Sequence, residues 1–494
     1  MYRTNSYSGH ASDSNQLIYI LLIAIVCFFA FFVNNQVIPA DLMEARNLAT
    51  AQEMVQTGNY LIPTLNGELR LEKPPLPTWI AAGIEKMAPR NLVVQRYAAG
   101  LAATLMVFFL YLLVVRFTRH KKAAFLSALI FATCFNIVMM GRTATWDIYC
   151  HCFMLGAIWL LVGAFEKDDV QWKYFIGAGI LMGLSFLSKG PVSFFALLLP
   201  FLIGYLIVYR PSVKQKVWPL IVMTGICLVI SCWWPVYVTL FQPDSIDVAQ
   251  KESASWLNHN VRPWYYYWQF PAEAGAWALF LVTSIVCFYV YKKREWRNEY
   301  QFALIWLVTS LVLLSLMPEK KTRYLLPILV PGAILICIYI LYSMKGFAVK
   351  SEKIIFRINA MLIAILFLAA PVILYFLFYT KGQLSIFVLI LSALLSWGLS
   401  FYLFFSLFGR NGIRVGNVFT AIVLGMILVE TVYMIPIGNL FINTDRNSIS
   451  QLHHNQEIQS LPYYCNQEEE LRMEEVYQVC HIIQKMDVTN DSLI

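Results

Sequence analysis

Carboxylates and cations occur close together in a few short stretches of this chain, a pattern that suits chemistry on a phosphate. Asp41 and Glu44 open a polar stretch that ends in Glu72-Lys73-Pro74-Pro75, and Asp147 follows Arg142 further along. One carboxylate would act as a general base while the cations stabilise a phosphate. This pairing suits transfer from a phosphate leaving group to a hydroxyl or an amine, because Lys or Arg compensates the charge growing on the departing phosphate.

The rest of the chain is strongly hydrophobic. Of 494 residues, 59% are hydrophobic and 13% are charged, and the mean hydropathy is +0.61, whereas average soluble domains carry roughly 25% charged residues. Apolar segments of about 17 to 25 residues are long enough to cross a bilayer. We therefore predict an all-α integral membrane protein with about thirteen transmembrane helices. The predicted spans are 17–35, 92–116, 123–140, 147–165, 174–188, 191–209, 217–240, 272–290, 301–317, 324–343, 355–379, 384–408 and 416–438.

The distribution of Lys and Arg predicts the orientation in the membrane. The basic connections are 116–122, 210–216, 292–297 and 345–353. The positive-inside rule assigns these connections to the cytoplasm. The segments that then face outward are 36–91, 141–147, 241–271, 318–323 and the residues after about 439.

One predicted outer loop, 318–323, carries cations against this rule. It contains Lys320, Lys321 and Arg323. Three cations on the outer face indicate a bound anion. A solvated loop is an equally good interpretation when the loop is taken alone.

Ionisable groups near the ends of the predicted spans gather on the outer side. They are Asp41, Glu44, Arg46, Glu72, Lys73, Arg96, Arg142, Asp147, Lys189, His259, Arg262, Lys320, Lys321 and Arg323. Charged groups near hydrocarbon are costly and indicate function. A one-sided cluster favours chemistry on an amphipathic lipid, because transport pathways usually carry polar groups at the midplane or in both halves. A transporter or flippase of lipid-linked sugars and a non-catalytic lipid-binding protein remain the alternatives.

Two segments outside the spans have a local pattern. Residues 41–56 predict an amphipathic helix in the first outer loop, ended by Gly58-Asn59. The chain after about residue 440 becomes polar, and its 462–486 part predicts a helix. We therefore divide the chain into a membrane domain, 1–440, and a short outer segment, 441–494, which is small or incomplete as a domain.

Several short motifs match a known family in order and spacing. They are Glu44-Ala45-Arg46, Gly58-Asn59-Tyr60, Pro63, Asn66-Gly67, Glu72-Lys73-Pro74-Pro75, Arg142 with Asp147, Ser188-Lys189-Gly190-Pro191, Trp234-Pro235 and Lys321-Thr322-Arg323-Tyr324-Leu325-Leu326-Pro327. With them the chain resembles the GT-C membrane glycosyltransferases that use polyprenyl-phosphate sugars. The resemblance is to the aminoarabinose lipid A transferases in particular and, more distantly, to protein O-mannosyltransferases. It covers roughly residues 17–340.

The resemblance implies roles for individual residues. It implies that Lys73, Arg262 and Tyr324 contact the donor phosphate, and that Asp147 and one acid of the first outer loop are the catalytic carboxylates. We add cations near the same face to the phosphate-binding candidates. These are Arg46, Arg142, Lys189, Lys321 and Arg323.

The first-loop acid is ambiguous because the sequence departs from the family pattern there. The family usually has Asp directly before the Glu of Glu-Ala-Arg, and this chain has Met43. Either Glu44 takes the role or Asp41 reaches the site from one helical turn earlier. For Asp147 the alternative is an acid that only favours a helix N-terminus.

A metal is not required by this chemistry, but the resemblance brings one candidate pair. Family members can hold a divalent ion near the position of Glu72, which makes Glu72 and His259 the candidate metal ligands. A lone histidine in an aromatic loop is, however, more often a hydrogen-bonding partner.

The predicted function is transfer of a sugar, such as aminoarabinose or mannose, from a polyprenyl-phosphate donor to an acceptor. Lipid A, a protein and a surface glycan all remain open as acceptors. We expect the chain in a bacterial inner membrane among membrane lipids, with its active site facing the periplasm. No nucleic-acid motif accompanies the net charge of +8.

Overall fold

The computed structural model describes residues 13–248, 250, 260–286, 294–410, 412–438, 440–441 and 461–486. Its first ten α-helices are α1 Asp13–Phe31, α2 Leu42–Thr57, α3 Leu76–Met87, α4 Leu92–Thr118, α5 Lys121–Ala132, α6 Phe135–Gly141, α7 Trp146–Phe165, α8 Trp172–Lys189, α9 Leu199–Val208 and α10 Val217–Phe241. The later ones are α11 Ala278–Val286, α12 Arg297–Leu316, α13 Leu329–Met344, α14 Lys350–Leu374, α15 Ile386–Phe408, α16 Val415–Leu428, α17 Met434–Gly438 and α18 Met473–Val479.

Short 3₁₀ and π segments join or extend these helices. The 3₁₀ segments are Lys214–Lys216, Trp264–Trp277, Arg294–Trp296 and Thr322–Ile328, and the π segments are Phe194–Leu198, Tyr375–Tyr379 and Val429–Tyr433. Two small sheets complete the fold. Strands β1 Thr64–Leu65 and β2 Glu68–Leu69 are antiparallel, and β3 Tyr463–Asn466 and β4 Ile483–Met486 are parallel.

A multi-span helical membrane architecture is confirmed. Helices are expected in a membrane, since a lipid-embedded backbone must satisfy its polar groups internally. In the described part of the chain, nine helices are long and apolar enough to cross a membrane. The α5–α6 pair, bent by 68°, makes a tenth if it is one broken span. The number of thirteen is not confirmed, because it also included two shorter apolar helices, Asn15–Phe31 and Phe194–Val208, and α8.

The helices differ in how deeply they lie in the bundle. The apolar window of Thr322–Met344 is 94% buried and that of Trp146–Phe165 is 78% buried, whereas that of Ile386–Phe408 is only 22% buried. The first two therefore form the centre of the bundle, and α15 presents most of its apolar surface outward. Because Asp147 lies in the first turn of α7 and Tyr324 lies in the 3₁₀ segment before α13, both central segments carry predicted site residues.

The first connecting segment is ordered and contains the predicted helix. Asp41 is the N-cap of α2, and its Oδ1 accepts a hydrogen bond of 2.7 Å from Glu44 N. Gly58 ends the helix with φ +73°, a left-handed conformation that favours glycine. The prediction of a helix over 41–56 is therefore confirmed to within one residue at each end. Helix α3 and the hairpin formed by β1 and β2 were not predicted. The turn of that hairpin, Asn66-Gly67, is of a typical kind, with φ +54° and +80°.

The C-terminal segment corrects one prediction. Residues 462–486 do not form one helix: they fold as strand β3, the short helix α18 and strand β4. This unit packs on the first connecting segment, where Asn66 Oδ1 accepts from Ile483 N at 2.8 Å and Asn66 Nδ2 donates to Ile483 O at 3.0 Å. Val476, Val479 and Ile483 share a small apolar cluster with Ala49 of α2.

Candidate active site

The ends of two neighbouring helices bring Asp147 and Lys189 together. Asp147 lies in the first turn of α7 and Lys189 is the last residue of α8, where Gly190 with φ +70° ends the helix. The Lys189 ammonium donates to Asp147 Oδ1 in an ion pair whose side chains are 5% and 1% exposed. Within the described residues, no protein group bonds the other oxygen, Oδ2. The pair thus fixes a buried carboxylate that has one oxygen without a hydrogen-bond donor among the described residues.

The segment 318–324 adds an acid, a cation and a phenol to this pair. The Lys189 ammonium lies 4.7 Å from the centre of the Tyr324 ring. Tyr324 Oη donates to Glu319 Oε2 at 3.2 Å, and Lys321 Nζ is 2.6 Å from Glu319 Oε1. Glu319 therefore fixes the phenol and one ammonium, and both belong to the predicted phosphate-binding set.

Lys73 and Arg323 complete the group, which we call the Asp147 cluster: Lys73, Asp147, Lys189, Glu319, Lys321, Arg323 and Tyr324. Burial lowers the pKa of Lys73, and the positive charge of Lys189 lowers it further. The negative charges of Glu72, Asp147 and Glu319 act in the opposite direction. Arg323 is the second cation, after Lys189, whose charge acts on Asp147. The cluster thus gathers three lysines and one arginine around two carboxylates.

Arg262 is joined to the same region through its backbone. Its N donates to Pro318 O at 3.3 Å, its carbonyl accepts from Lys320 Nζ at 3.0 Å, and Val261 forms a β-bridge with Glu319. Its side chain is exposed. Lys320 is 4% exposed and donates to two carbonyls of its own surroundings, Arg262 O and Met317 O. Lys320 therefore has a structural role, and Arg262 is held beside the cluster with its side chain exposed.

The two first-loop acids have different environments. Glu44 is fully buried, and both of its oxygens are used: Oε1 accepts from Arg96 Nε at 2.9 Å and from Ala144 N at 2.8 Å, while Oε2 lies 2.5 Å from Arg96 Nη2. Asp41 is exposed, and its Oδ1 caps α2. The structure thus holds Glu44 in a closed ion pair and presents Asp41 at a surface.

Arg142 and Arg46 lie apart from the Asp147 cluster in their recorded contacts. Arg142 donates to the carbonyls of Ala30 and Phe29 at the end of α1 and pairs with Glu430 at 3.0 Å. The Arg46 carbonyl accepts from Arg70 Nη1 at 3.1 Å, and Arg46 itself is half-buried in the first turns of α2. The sequence did not reveal that Arg142 and Arg46 lie apart from the Asp147 cluster, although Arg142 is close to Asp147 in the chain.

The candidate metal pair is only half described. Glu72 lies beside Lys73 and contributes to the charge around it, whereas His259 lies outside the described residues. In the ranges that the structure describes, no group of three or more His, Cys, Asp or Glu side chains is placed to hold a metal ion.

Sequence reasoning missed Glu319, Glu430 and His151. Glu319 directly precedes the loop cations in the sequence, and its opposite charge is the signal that could have identified it. Glu430 lies in an apolar span, where an acid indicates a buried partner, here Arg142. His151 lies one helical turn after Asp147 and is 1% exposed; only the i, i+4 spacing pointed to it.

Comparisons with known proteins agree with this picture. A family profile described as dolichyl-phosphate-mannose-protein mannosyltransferase matches residues 72–235. An undecaprenyl phosphate-alpha-4-amino-4-deoxy-L-arabinose arabinosyl transferase from Shewanella sediminis is 25% identical over 362 residues, which are 70% of this chain and 64% of that protein. A second such transferase, from Proteus mirabilis, is 25% identical over 393 residues, covering 74% of this chain and 68% of its own length.

Solved structures share the fold. ArnT from Cupriavidus metallidurans, in a crystal structure with bound undecaprenyl phosphate, superposes with a TM-score of 0.72 at 17% identity, covering 97% of this chain and 87% of that one. The Archaeoglobus fulgidus oligosaccharyltransferase superposes with a TM-score of 0.51 at 12% identity, covering 96% of this chain and 64% of that one.

The fold is thus that of the GT-C membrane glycosyltransferases, and the resemblance predicted from the sequence is confirmed. Within that class the chain is similar to the undecaprenyl phosphate aminoarabinose transferases. These relatives are named as transferases.

Proposed function

We propose that this chain is a glycosyltransferase that moves a sugar from a polyprenyl phosphate to an acceptor at the outer face of the bacterial inner membrane. The observation that carries the proposal is the buried Asp147–Lys189 pair, which has a free carboxylate oxygen and lies among Lys73, Arg323 and Tyr324. This reaction needs a carboxylate that acts on the sugar or the acceptor and cations that stabilise the departing phosphate. The Asp147 cluster contains both. The names of the relatives support undecaprenyl phosphate as the lipid and aminoarabinose as the sugar.

In this reaction the cations act on the leaving group. The acceptor oxygen forms a bond to the anomeric carbon, the bond from that carbon to the phosphate oxygen breaks, and polyprenyl phosphate departs. Negative charge grows on the phosphate as the bond breaks, so fixed cations stabilise the transition state more than the ground state. Lys73, Lys189, Lys321, Arg262 and Arg323 supply this charge, and Tyr324, whose hydroxyl donates to Glu319, contacts the phosphate.

The carboxylates divide the remaining tasks. Asp147 is held by Lys189, and its free Oδ2 orients the sugar of the donor. The proton of the acceptor passes to a second carboxylate, for which we assign Asp41, because Glu44 already uses both oxygens on Arg96 and Ala144. In this assignment Glu44 is a positioning residue that joins α2, α4 and the loop before Asp147.

The proposal extends to topology and to the acceptor class. Thirteen passes, with the two short apolar helices and α8 counted as spans, would place the 36–91 segment and the C-terminal segment on the periplasmic side. A divalent ion at Glu72 and His259 is not needed for the steps above. The acceptor is a lipid A phosphate, a protein hydroxyl or a surface glycan.

The test compares cells that lack the gene with the same cells carrying either the wild-type gene or a variant of it. Lipid A, glycoproteins and surface glycans are analysed by mass spectrometry for a gene-dependent sugar. We expect Lys73→Ala and Asp147→Asn each to reduce the product at least about 100-fold, a typical loss for a removed acid–base or charge-stabilising group. Lys381→Ala, which removes an exposed lysine after the π turn of α14, is the matched control and should retain wild-type levels.

Two results would overturn this function. One is a product that persists at wild-type levels in both site variants at equal protein abundance. The other is the absence of any gene-dependent sugar on all three acceptor classes.

A further inference from the structure

A cavity of about 390 Å³ lies between the N-terminus of α2 and the C-terminal segment. Its walls come from the segment between α1 and α2, the first turn of α2, the loop after α6 and helix α18. This volume lies within the range of small-molecule sites in proteins, roughly 300–1,000 Å³. Asp41, the proposed base, lines it.

The buried cations of this cavity are already occupied. Arg96 donates to Glu44 and to the carbonyls of Asn35, Ile38 and Pro39. Arg142 donates to two carbonyls of α1 and pairs with Glu430. These contacts with protein carbonyls and carboxylates hold both guanidiniums in the cavity wall. The remaining cation, Arg472, is exposed at the wall formed by α18.

The groups of the cavity that lack protein partners are hydrogen-bond acceptors. Among the residues that the structure describes, no donor is found for Asn35 Oδ1, Glu474 Oε2 or Gln478 Oε1, although each atom is buried. Asn35 is 2% exposed, and its amide nitrogen donates to Phe31 O. Buried acceptors without partners cost free energy unless a ligand supplies donors. A phosphate is itself an acceptor and would leave these three atoms unpaired.

We infer that this cavity binds the acceptor substrate, and that the bound group is a neutral, hydroxyl-rich glycan and not a phosphate. The inference rests on the proposed glycosyl transfer and adds the acceptor class to it. Sugar hydroxyls donate to Asn35, Glu474 and Gln478, and one hydroxyl faces Asp41 for deprotonation. The C-terminal segment thus supplies part of the acceptor site through α18.

The test uses two probes that differ only in a phosphate: N,N′-diacetylchitobiose and its 1-phosphate. Binding of each to the purified full-length chain in detergent is measured by calorimetry, together with binding of undecaprenyl phosphate. We expect the neutral disaccharide to bind at least as tightly as the phosphorylated one. Gln478→Leu and Glu474→Leu should each weaken its binding about fivefold, the typical effect of one lost hydrogen bond, while undecaprenyl phosphate binding stays unchanged.

Matched variants separate hydrogen bonding from folding. Gln478→Glu keeps an acceptor oxygen and should retain disaccharide binding, and Glu468→Leu alters an exposed acid of the same segment and should have no effect. The inference is overturned if the neutral disaccharide does not bind, or if Gln478→Leu binds it like the wild type. It is also overturned if the phosphate form binds about tenfold more tightly and Arg472→Ala removes that advantage.

Failure of this inference and failure of the proposed function are distinguishable. Disaccharide binding needs no turnover, so it is independent of the sugar-transfer assay on Lys73→Ala and Asp147→Asn. Transfer to a phosphate in cells, with loss in both site variants, would uphold the enzyme and reject the glycan acceptor.

Discussion

Two carboxylates three residues apart have distinct physical states, and the difference bears on catalysis. Glu44 is enclosed, with its charge neutralised by Arg96, whereas Asp41 is exposed at the end of the same helix. A general base needs an oxygen that can reach the proton it removes. Asp41 meets this requirement, and it also caps α2. A substitution of Asp41 must therefore remove the proposed base and keep the helix cap.

The substitution Asp41→Asn makes that separation. Asparagine is about as good an N-cap as aspartate, so the unfolding temperature should stay within about 2 °C of the wild type. An amide does not accept the acceptor proton, so kcat should fall at least about 100-fold. Sugar transfer and thermal unfolding in detergent are measured on the same preparation. A variant that transfers sugar normally would remove Asp41 from the mechanism.

Lys73 predicts a pH dependence of donor binding. Its pKa lies below the ordinary value of 10.5, chiefly because of burial and then because of Lys189. Between the folded-state pKa and 10.5 the unfolded chain binds more protons, so the stability linked to this group rises with pH in that window. Phosphate binding needs the ammonium and should weaken in the same window. The donor KM should therefore begin to rise below pH 10.5.

The substitution Lys73→Arg is the control for the predicted alkaline rise in donor KM. An arginine at position 73 keeps its positive charge to higher pH than a lysine does, so the alkaline rise in donor KM should move to higher pH even if the absolute KM changes. If the donor KM rises at the same alkaline pH in the wild type and in Lys73→Arg, a group other than Lys73 causes the rise.

At the scale of elements, the Glu44–Arg96 pair connects three parts of the fold. It joins the start of α2 to α4, and Glu44 also accepts from Ala144 in the loop before α7. Asn47 of α2 donates to Ala144 O at 2.8 Å, which fixes the same loop from a second residue. The position of Asp147 therefore depends on how α2 is seated.

Glu44→Gln tests whether this connection is structural. The side chain keeps its shape but leaves the buried Arg96 charge without an opposite charge, which should lower the free energy of unfolding by about 3 kcal/mol. At a temperature where the variant is folded, kcat should stay within about threefold of the wild type. Denaturant unfolding and steady-state transfer measure the two effects. A loss of kcat of about 100-fold at unchanged stability would assign the catalytic role to Glu44 instead of Asp41.

At the scale of the whole molecule, the last described residues fold onto the first connecting segment. Asn66 makes both of its side-chain hydrogen bonds to Ile483, and Gln56 donates to Cys480 O at 2.8 Å. These contacts join positions more than four hundred residues apart in the chain. They hold α18 over the cavity that Asp41 lines.

Asn66→Gly should release this contact without straining the hairpin. Glycine readily adopts the positive φ of +54° at this position, but the two hydrogen bonds to Ile483 are lost, which weakens docking by about 2 kcal/mol. Hydrogen exchange should accelerate roughly 30-fold in the amides of 473–486. Asn59→Gly removes two side-chain hydrogen bonds within the first connecting segment alone and should leave that exchange unchanged.

Much of the fold followed from local sequence patterns. Long apolar runs predicted helical spans, and Asp41 followed by an amphipathic run and Gly58 predicted α2, because caps and periodicity act over a few residues. The same locality caused one error. In 462–486, pairing between β3 and β4 overrides the helical pattern. The count of thirteen spans stays a prediction, because it includes shorter apolar helices such as Phe194–Val208.

The sequence by itself determined that this is a helical membrane protein, and it predicted that acids and cations concentrate on one side. It also named Lys73, Asp147, Lys189, Lys321, Arg323 and Tyr324 as site candidates. Only the tertiary structure decided which charges meet: Lys189 with Asp147, Arg96 with Glu44, and Arg142 with Glu430. The physical reason is that a buried charge takes its partner from whichever helix packs beside it, and that neighbour is set by contacts between residues distant in the chain.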